Sequence, residues 1–187
     1  RHQFRGSLGW SWEHEYEDRR LQPAPASGNV VRATGLGRFD EYLRDAATGE
    51  LVSPVGVFSR LWAAPDGFLI ERTPEGTRYR YHPLDGSPRS GRLESITDRL
   101  GNRLSFLRGE DGLIDEARDP VGRTVSYHHD DEGRIQWIED FSGRRVTFEY
   151  SPEGDLEAVK SPAVEGTPTD NDFPEGKRRY GSPGVWR

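Results

Sequence analysis

Three consecutive stretches of this chain repeat one another without a gap. From Gly91 the sequence reads GRLESITDRLGNRLSFLRGED, from Gly112 GLIDEARDPVGRTVSYHHDDE, and from Gly133 GRIQWIEDFSGRRVTFEYSPE; a partial copy, GDLEAVKSP, begins at Gly154. The period is 21 residues each time. A fixed period of that length makes each copy one supersecondary unit, which buries its apolar face only by stacking on the next copy. The pattern inside one copy therefore decides the fold.

Two places after the opening glycine stands an aliphatic residue: Leu93, Ile114, Ile135 and, in the partial copy, Leu156. Five places after it stand Ile96, Ala117, Ile138 and Val159; at seven come Asp98, Asp119 and Asp140, and at ten Gly101, Gly122 and Gly143. An alternating run follows, with Leu104 and Phe106, then Val125 and Tyr127, then Val146, Phe148 and Tyr150. Period two with β-branched and aromatic residues marks a half-buried strand. At the joint DPVG, Asp119 caps backbone N–H groups, Pro120 fixes φ and Gly122 takes the exit conformation of a type I turn. SPEG, before and including Gly154, repeats that chemistry, and DFSG and DDEG, the latter ending at Gly133, are weaker versions. Each copy thus reads as strand, four-residue turn, strand, four-residue turn. Joints so short connect only antiparallel neighbours. The expected fold is all-β: an antiparallel meander of 21-residue β-hairpin repeats, part of a spiralling sheet.

One spacing resists this scheme. The aliphatics at places two and five are an odd distance apart and would face opposite sides of a regular strand. Either a bulge lies between them or both faces of the sheet are covered. Two other repeats of similar length fail. A leucine-rich repeat needs an apolar residue where Asp98 stands, and the Gly-Gly-x-Gly-x-Asp of calcium-binding β-rolls is absent.

The remainder divides around the repeats. Residues 67–82 resemble a shortened copy, with Gly76, Tyr79 and Tyr81 in the matching places, so the repeat region is expected over 67–163. Before it lies a β-rich leading module, 1–66, in which GWSWEHEYE reads as a strand with Trp10, Trp12, His14 and Tyr16 on one face. RFDEYLR and VGVFSRLW are further strands. After it, 164–187 is a Pro/Gly-rich insertion loop, with RRYGSPGVWR as the start of a further strand.

Composition excludes several function classes. Cysteine is absent, which removes disulfides, thiolate metal sites and cysteine nucleophiles. Formal net charge is −6, Lys160 and Lys177 are the only lysines, and no basic block exists, so no nucleic-acid partner is expected. No apolar run approaches the roughly 18 residues of a membrane span. Methionine is absent and the chain opens with Arg1, so we read it as a piece of a longer polypeptide. The metal-ligand types in YHHDDE (Tyr127 to Glu132) fall at a strand end and turn that the next copy fills with FEYSPE, so no metal site is assigned. Glu13, His14, Glu15 and Glu17 could form an acid/base group but read as a solvated strand face. No Gly-x-Ser-x-Gly, phosphate loop or His-Glu-x-x-His occurs. No catalytic residue and no cofactor is therefore expected. Tyrosines and arginines along the hairpins could stack on sugars, which keeps a carbohydrate-binding alternative open.

The pattern resembles the Rhs/YD-repeat family, whose repeat has the form Gly-x-Leu-x-x-Val-x-Asp-x-x-Gly-Arg-x-x-x-Tyr-x-Tyr-Asp. GLIDEARDPVGRTVSYHHDDEGR matches most of it, with His129 where the last tyrosine usually falls, and Tyr150 restores that tyrosine in the next copy. GWSWEHEYEDRRL and the segment from Pro54 to His82 look like the module that precedes such repeats in bacterial Rhs proteins. The resemblance implies a non-catalytic segment of a β-sheet shell that encapsulates or presents a C-terminal toxin domain of a larger secreted protein. It implies the remainder of the same chain as partner, self-association through open sheet edges, and a place outside the cell or delivery by a bacterial secretion system. The family's self-cleavage segment is not recognisable here, and there are too few strands to close a shell. The alternative is a cell-surface adhesion or carbohydrate-binding module that encloses nothing.

Overall fold

The computed structural model describes residues 4–24, 26–34, 37–163 and 183–186. The chain divides into two compact units: Glu13–Val125 forms one, and the ends, Arg1–Trp12 with Ser126–Arg187, form the other. Both are built almost wholly of antiparallel β-structure. In the terminal unit β1 (Arg5–Gly6) pairs with β2 (Gly9–Trp10). In the middle unit a single helical turn, α1 (Glu15–Asp18), leads into β3 (Arg20–Pro23), β4 (Val30–Ala33), β5 (Phe39–Arg44) and β6 (Leu51–Val52), an antiparallel sheet in chain order. A six-strand meander follows: β7 (Arg60–Ala63), β8 (Leu69–Arg72), β9 (Arg78–Tyr81), β10 (Leu93–Thr97), β11 (Arg103–Arg108) and β12 (Ile114–Arg118). The terminal unit takes up the pattern again with β13 (Thr124–His129), β14 (Ile135–Asp140), β15 (Arg145–Tyr150) and β16 (Leu156–Ala163), and β17 (Pro183–Trp186) pairs antiparallel with β16. The expected loop over 164–182 lies outside the described residues.

The turns explain the period. At Asp98, Oδ1 accepts from the N–H of Leu100 (2.8 Å) and of Asn102 (2.9 Å). Asp119 does the same with Val121 and Arg123, Asp130 with Glu132 and Arg134, and Asp140 with Ser142 and Arg144. The other carboxylate oxygen then takes the side chain of the residue after the turn glycine: Asn102 (2.7 Å), Arg123 (2.6 Å), Arg134 (2.7 Å) and Arg144 (2.8 Å). Aspartate and arginine thus clamp the turn from both ends. Gly101, Gly122 and Gly143 sit at φ 93°, 88° and 81°, which a Cβ would resist. Ser151 replaces the aspartate before Gly154, its hydroxyl accepting from Glu153 and Asp155 N–H (3.2 Å each).

The clamps make the fold acid-sensitive. Bonds from the Ser142 hydroxyl and the Arg144 guanidinium hold the Asp140 carboxyl well below its usual 3.8, and the Asn102 amide lowers Asp98. At Asp119 and Asp130 burial pulls upward, but bonds from Arg123 and Arg134 outweigh it. A carboxyl whose folded pKa is depressed adds stability that is full above its unfolded value and lost as pH falls through the folded one. Melting temperature is therefore expected to be flat from neutrality to about pH 5 and to drop steadily below about pH 4. Asp140→Asn should flatten part of that slope. A melting temperature unchanged between pH 5 and pH 2 would remove the clamps from the account.

The odd spacing is resolved by a bulge. Tyr81 faces Leu93 while Arg80 faces Ser95, so Glu94 is the extra residue. The same register shift leaves Asp115 extra between Ile114 and Glu116, and Glu157 extra between Leu156 and Ala158. With place three bulged out, places two and five come to the same face. Leu93, Phe106, Ile114 and Ile135 are fully buried. Ile96, Leu104, Val125, Tyr127, Ile138, Val146, Phe148 and Tyr150 are half-buried. In the middle unit Leu21, Val30 and Tyr42 of β3 to β5 join Leu61, Leu69 and Tyr81 in the core. In the terminal unit the β1–β2 hairpin lies over Ile135 and Gly154: Ser7 carbonyl accepts from Ile135 N–H (2.8 Å), and Trp10 N–H donates to Gly154 carbonyl (3.1 Å).

Two strand assignments need correction. Trp10, Trp12, His14 and Tyr16 do not share a strand face, because Ser11 turns at φ 62° and Glu15–Asp18 is helical. His14 caps that turn: its ring accepts from Glu17 N–H, and its own N–H donates to Asp18 (2.7 Å). Glu15, Glu17 and Asp18 in the first turn suit the positive end of the helix. Within VGVFSRLW only the part from Arg60 is strand; Val57 N–H bonds back to Pro54 carbonyl (3.0 Å) in a turn.

Candidate functional site

The residue types that suggested chemistry in the sequence are held apart. His128 stacks on Trp137, ring centroids 4.9 Å apart, and the Arg145 guanidinium lies 4.0 Å from the same Trp137 ring. Asp130 is committed to its turn, and Glu132 pairs with Arg5 (2.5 Å) and Arg134 (3.2 Å). Among the described residues no three His, Asp or Glu side chains gather as metal ligands would. Of the acidic group near the start, Glu13 accepts from Gly37 N–H (2.6 Å), with burial raising its carboxyl, and Glu15 pairs with Arg19 (3.1 Å). Glu17 is not on a solvated strand face: it is 1% exposed.

Charged residues that alternation placed in apolar slots form the middle unit's polar core. The register β8–β9–β10–β11–β12 puts Glu71, Tyr79, Tyr81, Leu93, Phe106, Arg108 and Ile114 on one face. Glu71, with no exposed surface, accepts from Arg19 (3.0 Å), from Arg32 and from the Tyr81 hydroxyl (2.8 Å). Arg32 also binds Asp40 (2.5 Å) and Ser59 (3.1 Å), and Ser59 meets the Tyr42 hydroxyl at 2.7 Å. The Arg19 guanidinium lies 3.9 Å from the Tyr79 ring. Burial alone would raise the Glu71 carboxyl; Arg19 and Arg32 outweigh it and hold it below its usual value. Two arginines and two carboxylates balance, so the group carries no net buried charge.

A second node centres on Glu17. Its carboxylate accepts from Arg108 (2.9 Å), from Arg92 (3.3 Å) and from the backbone N–H of Ile114 (2.8 Å) at the start of the bulge. Arg108 also donates to the carbonyls of Leu93 (2.9 Å), Gly112 (2.9 Å) and Tyr16 (3.2 Å). Its guanidinium pKa is lowered by burial, opposed by Glu17. Arg108 occupies the place that Tyr150 holds two copies later, and Tyr150 hydroxyl donates to Ile135 carbonyl (2.5 Å), the same place-two carbonyl that Leu93 offers Arg108. In these two copies the position therefore satisfies the place-two carbonyl. Sequence reasoning missed the role because it treated the tyrosine as apolar core. Among the described residues the buried carboxylates Glu17, Glu71 and Asp40 are each paired with arginine. No family model matches the chain. No curated protein matches it either. What the arrangement can do is hold sheet to cover; Glu71 and Glu17 tie α1, β3, β4 and β5 to β8, β11 and β12.

Proposed function

We propose that this chain is a non-catalytic wall segment of an Rhs/YD-repeat shell, which encloses or presents a further domain of a larger secreted or injected protein. The observation that carries this reading is the recurrence of one bulge and one turn clamp in successive copies. A sheet built this way extends by adding copies, with no new chemistry needed at each joint. The buried charge nodes support a fixed leading module rather than a mobile one. Among the described residues no helix is long and apolar enough to cross a membrane. The test is limited proteolysis of the full polypeptide followed by mass spectrometry. A shell protects whatever follows the repeats until the wall is unfolded. Digestion of that following segment at the rate of an exposed chain, with the repeats intact, favours the adhesion-type alternative.

A further inference from the structure

We propose that the groove between β6 and β7 binds an extended acidic peptide, which adds a strand to the free edge of β7. The proposal does not rest on the shell reading. The Ala64 N–H donates to the Phe68 carbonyl (2.7 Å) where β7 turns into β8. Bonded pairs alternate along an antiparallel ladder, so Arg60 and Trp62 turn their backbone groups towards β8, and Leu61 and Ala63 turn theirs away. On β6 the bond from Asp45 N–H to the Glu50 carbonyl (2.9 Å) sets the same alternation, and Leu51 turns its N–H and C=O away from β5. β6 and β7 are each the last strand of their sheet. Among the described residues these outward backbone groups of Leu51, Leu61 and Ala63 have no partner. The other edge of the cover sheet is closed: Leu21 of β3 donates to the Gly91 carbonyl (2.8 Å), and Arg20 bridges Arg92. An unpaired edge is a template for another strand, and β7 carries neither proline nor bulge to blunt it.

The surroundings narrow the occupant. The groove holds about 640 Å³ between the two edges, with Leu51, Leu61 and Leu69 among its lining residues. At one end the Ser53 hydroxyl ties the two strands together by donating to the Ser59 carbonyl (2.6 Å). Side chains of a bound strand point alternately to its two faces. One set meets the leucines; the other lies beside Arg60 and the 41% exposed Trp62, which share a face of β7. Among the described residues no carboxylate pairs with Arg60. Arg44, also in the lining, gives its guanidinium to the carbonyls of Gly28 and Gly49 (2.8 Å each) and keeps its charge uncompensated. Glu50 is the one carboxylate in the lining. Two arginines against one glutamate favour an acidic residue opposite Arg60. Unpaired main chain along the wall selects a peptide, because strand addition takes its affinity from main-chain bonds and its specificity from alternate side chains.

The test uses two labelled synthetic peptides, Val-Glu-Val-Thr-Val-Glu-Val-Thr and the same sequence with lysine for glutamate, followed by fluorescence anisotropy. The chain should bind the glutamate peptide at least about fivefold more tightly than the lysine peptide, and Arg60→Glu should reverse that preference. Ala63→Pro removes an N–H aimed at the groove and leaves the bonds to β8 in place, since proline is tolerated on an edge strand. It should lose at least about tenfold in affinity while melting close to the parent. Alternate N–H groups of a strand serve one neighbour, so N-methylating the set that faces β7 should also cost about tenfold or more. In hydrogen exchange the Leu61 and Ala63 amides should be fast in the free chain and at least about tenfold slower with the glutamate peptide, with Trp62 slow throughout. Failure of the parent to bind the glutamate peptide, preference for the lysine peptide, equal binding by Ala63→Pro, or little effect from N-methylating either alternate set overturns the proposal. Slow Leu61 and Ala63 amides without peptide also overturn it: they assign the groove to a second copy if the slowing follows dimerisation, and to another segment of the same chain if it is seen in the monomer.

Discussion

Replacing Glu71 with alanine is expected to cost the middle unit about 3–5 kcal/mol, the penalty for leaving a buried partner charge uncompensated. Arg19 and Arg32 would both face the vacated space, Arg19 with side-chain exposure of 8% and Arg32 of 10%, and neither can lose its proton at any ordinary pH. Asp40 would still bind Arg32, but Arg19 would keep as charged partner Glu15, which is more exposed, beside the Tyr81 hydroxyl and the Tyr79 ring. Glu71→Gln keeps the shape and two acceptor lone pairs and loses the charge, so it should fall between parent and alanine. Tyr81→Phe removes one hydroxyl from a satisfied group and should cost about 1–2 kcal/mol. Urea unfolding followed by intrinsic fluorescence measures all three. A cost below about 1 kcal/mol for Glu71→Ala would mean that water reaches this node and that the cover over β8 is not fixed by it.

That node also marks where sequence reasoning stops. The turns were legible because each is a local event: Asp98, Asp119 and Asp140 bond to backbone within four residues, so spacing alone reveals them. Within the repeats strand identity was legible from alternation, but the alternation of Trp10, Trp12, His14 and Tyr16 misled, since Ser11 turns and Glu15–Asp18 is helical. The bulge left a trace in the odd spacing and in the polar residue at place three of every copy, Glu94, Asp115, Gln136 and Glu157. The helical turn at Glu15–Asp18 is too short to show a period; its trace was the run of acids after His14. The buried charges were visible only as misfits. Glu71 follows Leu69 by two, Arg108 follows Phe106 by two and Arg32 follows Val30 by two, each a charge where alternation calls for an apolar side chain. Which misfit meets which is set by the packing of distant strands.

Removing residues 112–132 should leave a folded chain, whereas removing 112–121 should not. The longer deletion joins Asp111 to Gly133 and puts one copy's residues into the preceding copy's places. Gly133 takes the position of Gly112, where any Cβ would run into the Pro88 carbonyl, so a glycine is required and supplied. Ile135 takes the fully buried place of Ile114 and presents its N–H to Glu17, and Gln136 becomes the bulged residue in place of Asp115. Two costs follow: Ile138 replaces the buried Ala117 opposite Phe106, where overpacking costs about 1–3 kcal/mol, and the β1–β2 hairpin loses Glu132 from Arg5 and the Ile135 N–H from Ser7. Ile138→Ala in the deleted chain should recover the overpacking loss, a rescue that a merely tolerant loop would not produce. The shorter deletion joins Asp111 to Gly122. Thr124 then falls in the Ile114 place, placing a hydroxyl and a smaller side chain in the core, and Tyr127 falls opposite Phe106. Every later strand must run against its former direction or slip by one residue, which turns its core face outward. Soluble yield and thermal unfolding of the two deletions, made in the longest available form of the protein, separate the cases. Equal behaviour of both would mean that the 21-residue hairpin is not the structural unit, and the shell built by adding such units would fall with it.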